Sequence, residues 1–113
     1  MIHLICGPIG AGKTTYAMHL ADKHHAVRFS EDEWLANLFV PEAPDGLIEQ
    51  PMPVIVEWAA KKYDYCRAQI TLMCRQCLNS NVNVVLDGAA ANVGQRDVIR
   101  QLAKAFNTGF TLH

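Results

Sequence analysis

Gly7-Pro8-Ile9-Gly10-Ala11-Gly12-Lys13-Thr14 is the stretch on which the reading turns. Its glycines stand where a backbone must curl so that successive N–H groups point inward at an anion. A helix starting at the Lys adds its positive end. Such a nest suits phosphate. In that arrangement Lys13 reaches the β- and γ-phosphates of a nucleotide and the Thr14 hydroxyl ligates Mg²⁺. At average residue frequencies the pattern arises by chance in roughly a few chains per thousand of this length.

Its flanks supply the context that such a loop needs. Ile2-His3-Leu4-Ile5-Cys6 reads as a short buried strand, and beyond the loop Ala17, Leu20, Ala21 and His24 share one face of a helix. A second strand, 26–29, leads to Ser30, with Glu33 three positions on and an apolar Trp34, Leu35, Leu38, Phe39 set behind it. This is a capping-box helix start. Residues 41–53 hold four prolines and an Asp45-Gly46 turn signal, which predicts a surface loop without regular structure. One long helix follows over 54–78, then a strand over 82–86 ending at Asp87-Gly88. Asn92 with Gln95 caps a last helix carrying Ile99, Leu102, Ala103 and Phe106, and residues 110–113 begin another strand. Strands alternating with helices predict a three-layer α/β/α sandwich around a mainly parallel sheet, in one domain over 1–113.

Composition narrows the function classes. Half the residues are hydrophobic and 19% are charged, an ordinary globular balance. Ten Lys and Arg against eleven Asp and Glu leave no basic footprint for nucleic acid. No stretch approaches the roughly 18 apolar residues that cross a bilayer, and no basic segment precedes the apolar start as in a signal peptide, so the expected compartment is the cytoplasm. Cys74 and Cys77 form a Cys-x-x-Cys pair, but no second pair exists to complete a zinc site. Tyr63, Cys66, Ile70, Cys74 and Cys77 instead recur at helical spacing, which makes the thiols small core hydrophobes.

Three positions carry candidate chemistry besides the loop. Asp87 ends a strand, where open α/β sheets collect ligands and where a phosphate-loop protein carries its second magnesium-directed acid; the competing reading is a plain Asp-Gly turn. Asp32 lies just past the second strand and can take the proton of a hydroxyl attacking the γ-phosphate, with Glu31 as the alternate. Against this, acids in a first helical turn are favoured by the helix dipole alone. Arg96, and with less reason Arg67, are the basic residues placed to hold transferred phosphate; either can equally be a solvated helix charge.

Taken together, Ile5 to Thr15, then Arg28-Phe29-Ser30-Glu31-Asp32-Glu33-Trp34, then Val84-Val85-Leu86-Asp87-Gly88 with Arg96-Asp97 beyond, resemble the AAA-type ATP-binding family of small P-loop kinases. Zeta-toxin-like, chloramphenicol-phosphotransferase-like and polynucleotide-kinase-like proteins belong to that group. The resemblance implies a P-loop NTPase fold and ATP and Mg²⁺ bound through Gly7, Gly10, Ala11, Gly12, Lys13, Thr14 and Thr15. It also implies Asp32 as the catalytic acid after the second strand and Asp87 as the metal-directed acid after the third. The expected partners are ATP and a small-molecule hydroxyl acceptor, held under the 41–53 loop and the long helix. Such kinases continue past a fourth strand to an arginine-bearing lid, a fifth strand and a final helix, which nothing in this sequence matches. The expectation is therefore a C-terminally truncated fold. Two readings stay open: a phosphotransferase, or a nucleotide-binding module completed by another segment or chain, with an open sheet edge available for self-association.

Overall fold

A computed structural model of the protein describes residues 1–6, 12–88 and 93–113. Four short strands, β1 (Ile2–Ile5), β2 (Val27–Ser30), β3 (Val84–Asp87) and β4 (Phe110–Leu112), form one sheet in the order β2-β3-β1-β4. All three pairings are parallel. The helices are α1 (Lys13–His24), α2 (Glu31–Trp34), α3 (Met52–Asn79) and α4 (Val93–Ala105). This is the expected α/β architecture.

Strand alternation sorts the core into two layers. Leu4, Phe29, Val84 and Leu86 face α3 and α4, where they meet Ile70, Cys74, Leu78, Leu102 and Ala103. Ile5 and Val85 face the other way onto Ala17 and Leu20 of α1. Each large side chain so buried contributes about 1.5–3 kcal/mol. Cys66 and Cys74 are inside this core, as the helical spacing of the thiols predicts. His3, on the α1 side of β1, is also buried; its ring stacks on His24 with centroids 4.5 Å apart, and its Nδ1 lies 3.1 Å from Nε2 of His113.

The register positions the site. Parallel pairing sets Asp87 beside Ile5 of β1 on one side and Ser30 of β2 on the other. The ends of three strands thus meet where the phosphate-loop residues begin.

Two expectations need correction. The 41–53 segment is not without regular structure: short 3-10 turns occupy Val40–Glu42 and Leu47–Glu49, and Pro53 lies inside the first turn of α3. A helix start has spare N–H groups, so proline is tolerated there. The apolar set after Ser30 does not form one α-helix either, because α2 gives way at Leu35 to a wider π-type turn running to Phe39. The cap itself forms, with the Glu33 N–H donating to the Ser30 hydroxyl at 3.3 Å. The Asn92 cap of α4 lies outside the described residues, as do Gly7 to Ala11.

Candidate active site

Gly12 occupies the left-handed region at φ 75° and caps α1. Lys13, half-buried, Thr14 and Thr15 follow as the first turn of that helix, at the carboxyl end of the sheet. Gly88 sits across from them at φ 89°, directly after Asp87. A Cβ placed on Gly88 would stand 3.3 Å from Asp32 Oδ2 and 3.7 Å from Lys13 Nζ. The carboxylate and the ammonium thus flank a single point above the sheet, kept open by a residue that has no side chain.

Both acids have partners that fix them. Tyr63 of α3 donates its hydroxyl to Asp32 Oδ1 at 2.5 Å. Burial first, and then the Asp32 carboxylate, pushes the Tyr63 phenol up to about 12, so it stays a donor at neutral pH. Arg28 of β2 donates from Nη1 to Asp87 Oδ2 at 3.2 Å and grips both oxygens of Glu33 at 2.7 Å. Arg28 and Asp87 share the α1 face of adjacent strands, on diagonal positions within reach of a long side chain.

Asp87 is 1% exposed, and its carboxyl is raised above the ordinary range, first by burial and further by the Asp32 charge, against the pull of Lys13 and Arg28. Its Oδ1 is buried without a hydrogen-bond partner among the described residues. An orphaned carboxylate oxygen this deep is costly unless something binds it. A hard divalent cation takes that kind of donor, and Thr14 offers a hydroxyl at the head of α1, so the residues present fit Mg²⁺.

The remaining candidates are placed otherwise. Glu31, the alternate base, is 4% exposed and bridged by Arg67 through Nε at 2.8 Å and Nη2 at 3.2 Å. Arg67 also reaches Asp64 at 3.4 Å. These two side chains are committed to each other. Arg96 stands on the first turns of α4 with its Nε buried and without a hydrogen-bond partner; among the described residues no bond joins it to Lys13, Asp32 or Asp87.

Arg28 and Tyr63 are the contributors that sequence reasoning missed. Arg28 had a signal, being the one charge in an otherwise apolar strand, Ala26-Val27-Arg28-Phe29. Tyr63 looked like another member of the α3 core stripe, and only the packing of α3 against α2 turns its hydroxyl toward Asp32.

Comparison with known proteins bears on the family and the fold. A family model described as "AAA domain" matches residues 2–113. No curated protein matches. A Chloroflexus aurantiacus protein whose crystal structure is described as that of a "putative kinase" superposes with a TM-score of 0.71 at 16% sequence identity. The match covers 98% of this chain and 56% of that one, so the chain spans little more than half the length of its structural neighbour.

Proposed function

The chain belongs to the AAA domain family, in its small P-loop kinase-like form, and on that premise we propose that it binds Mg-ATP and moves the γ-phosphoryl group to the hydroxyl of a small molecule. Nucleotide binding through the phosphate loop follows from the family; the transfer is our reading. The observation that carries it is the convergence of Lys13 and Asp32 on the point above Gly88, next to the buried Asp87.

In this reading the backbone of Gly7, Gly10, Ala11 and Gly12, with Thr15, cradles the phosphates and Lys13 supplies the fixed cation. Thr14 and Asp87 would hold magnesium, which when bound neutralises charge on the phosphate oxygens. Asp32, steadied by Tyr63, takes the proton of the acceptor hydroxyl. Arg96 is the candidate to meet charge on the transferred group.

Replacing Lys13 with Ala removes the cation and is expected to weaken Mg-ATP binding about 100-fold or more by calorimetry. Undiminished affinity would refute the site. Asp32→Asn should leave ATP affinity within about threefold while labelled-phosphate transfer to a panel of alcohols falls by ~10²–10⁴. A second reading, a nucleotide-binding module whose turnover needs a further segment or chain, draws support from the 56% coverage of the structural neighbour. ATP binding with no transfer to any alcohol would favour it.

A further inference from the structure

The two carboxylate oxygens of Asp87 meet different surroundings. Oδ2 accepts from Arg28 Nη1 at 3.2 Å, while the buried Oδ1 has no hydrogen-bond partner among the described residues. Half of the carboxylate is thus committed before any ligand arrives.

Arg28 is itself firmly held. Its Nη2 donates to both oxygens of Glu33 at 2.7 Å, and its side chain is only 14% exposed. A guanidinium keeps its proton in a protein, and its planar fork can serve two carboxylates at once through different nitrogens. Glu33 is fixed in turn at the head of α2, where its N–H donates to the Ser30 hydroxyl. Ser30 is the register partner of Asp87, so the brace, the guanidinium and the carboxylate are all anchored to the paired ends of β2 and β3.

This arrangement bears on which cation Asp87 can take. Ca²⁺ gathers about six to eight oxygens at about 2.3–2.6 Å in flexible geometry and readily takes both oxygens of one carboxylate. Mg²⁺ demands a near-regular octahedron at about 2.0–2.1 Å. The two oxygens of one carboxylate stand too close together to fill adjacent corners of so small an octahedron, so Mg²⁺ uses one of them. Charge does not separate the two ions, since both carry the same. The number of carboxylate oxygens on offer does.

We propose that Arg28 is a specificity-determining residue for the cation: by occupying Oδ2 of Asp87 it leaves the metal a single carboxylate oxygen, and the site thereby prefers Mg-ATP to Ca-ATP. Arg28 acts through Asp87 and touches neither the metal nor the nucleotide. This rests on the reading above that Asp87 belongs to the magnesium shell of a bound ATP.

The test is calorimetry of ATP binding to the full chain in excess Mg²⁺ and in excess Ca²⁺, which gives the ratio of the two dissociation constants. The unmodified protein should bind Mg-ATP at least about tenfold more tightly than Ca-ATP. Arg28→Met frees Oδ2. The positive charge lost with it acts alike on both ions and cancels in the ratio, which should move toward calcium by at least about fivefold. Arg28→Lys keeps a cationic donor on a long stem and should hold the ratio within about twofold of the unmodified protein. Should Arg28→Met not fold, Arg28→Gln, polar but too short to span the strand diagonal, should give the same shift. Equal affinities in the unmodified protein, a ratio unmoved by Met and Gln, or one moved as far by Lys as by Met would each overturn the proposal and leave the ATP reading standing. Absence of ATP binding by the unmodified protein, or binding indifferent to EDTA, would instead sink the metal assignment and the proposal with it.

Discussion

Through the Tyr63–Asp32 hydrogen bond, a carboxylate on one helix helps to set where a phenol on another gives up its proton. Tyr63 is held near 12 partly because ionising it would place a second negative charge against Asp32 and forfeit the bond. Asp32→Asn removes that charge, so the phenol should fall part of the way back toward 10, leaving the contribution of burial. Ultraviolet titration of the phenolate band, with Tyr63→Phe to assign the step, measures this; an unmoved titration would mean that the 2.5 Å contact is not made in solution. A phenol raised in the folded state contributes stability that is fully present below its unfolded value near 10 and is lost as pH rises through about 12. At this scale much was legible. Lys13, Asp32 and Asp87 follow from their places after a glycine turn and at strand ends. Tyr63 does not, because periodicity reports which face of a helix a residue occupies and not what its terminal oxygen meets.

Among the elements, β1 carries its own pH dependence. His3 is buried and held below its ordinary value, chiefly by burial, then by His24 of α1, by His113 beyond β4 and by the chain's amino group. Tyr16 of α1 completes the cluster, 3.1 Å from the other nitrogen of His113. A histidine lowered in the folded state favours folding above its unfolded value near 6.5, and that contribution is lost as pH falls. Thermal midpoints should therefore drop between about pH 7.5 and about pH 5, and His3→Leu should flatten the slope; an identical slope in the variant would show that other groups carry it. The element boundaries show where sequence reading works and where it stops. Helix identities came from the 3.6 period in α1, α3 and α4, and β1 from its short apolar run ahead of the glycines. The π-type turn at Leu35–Phe39 has no such periodic signature, and the prolines at 41 and 53 could be placed only once helix starts were known.

For the whole molecule, burial divides the chain unevenly. No residue from 32 to 65 is fully buried, whereas β1 and β3 are buried throughout. Hydrogen exchange should follow this: amides of β1 and β3 opening only with global unfolding, and those of 35–62 exchanging through local opening at least about 100-fold faster. Uniform protection would contradict the division. No described helix is long and apolar enough to cross a membrane. The long axis of 46 Å is nearly matched by α3 alone, whose 28 residues extend about 42 Å.

The first buried residue of α3 is Cys66, about 21 Å along the helix from Met52 and only about 4.5 Å from Tyr63. If the helix pivots where it enters the core, Met52 and Tyr63 lie on the same arm, the phenol that holds Asp32 close to the pivot and the tip far from it. Geared at nearly five to one, a swing of about 5 Å at the tip carries Tyr63 by about 1 Å, the scale on which alignment for chemistry is won or lost.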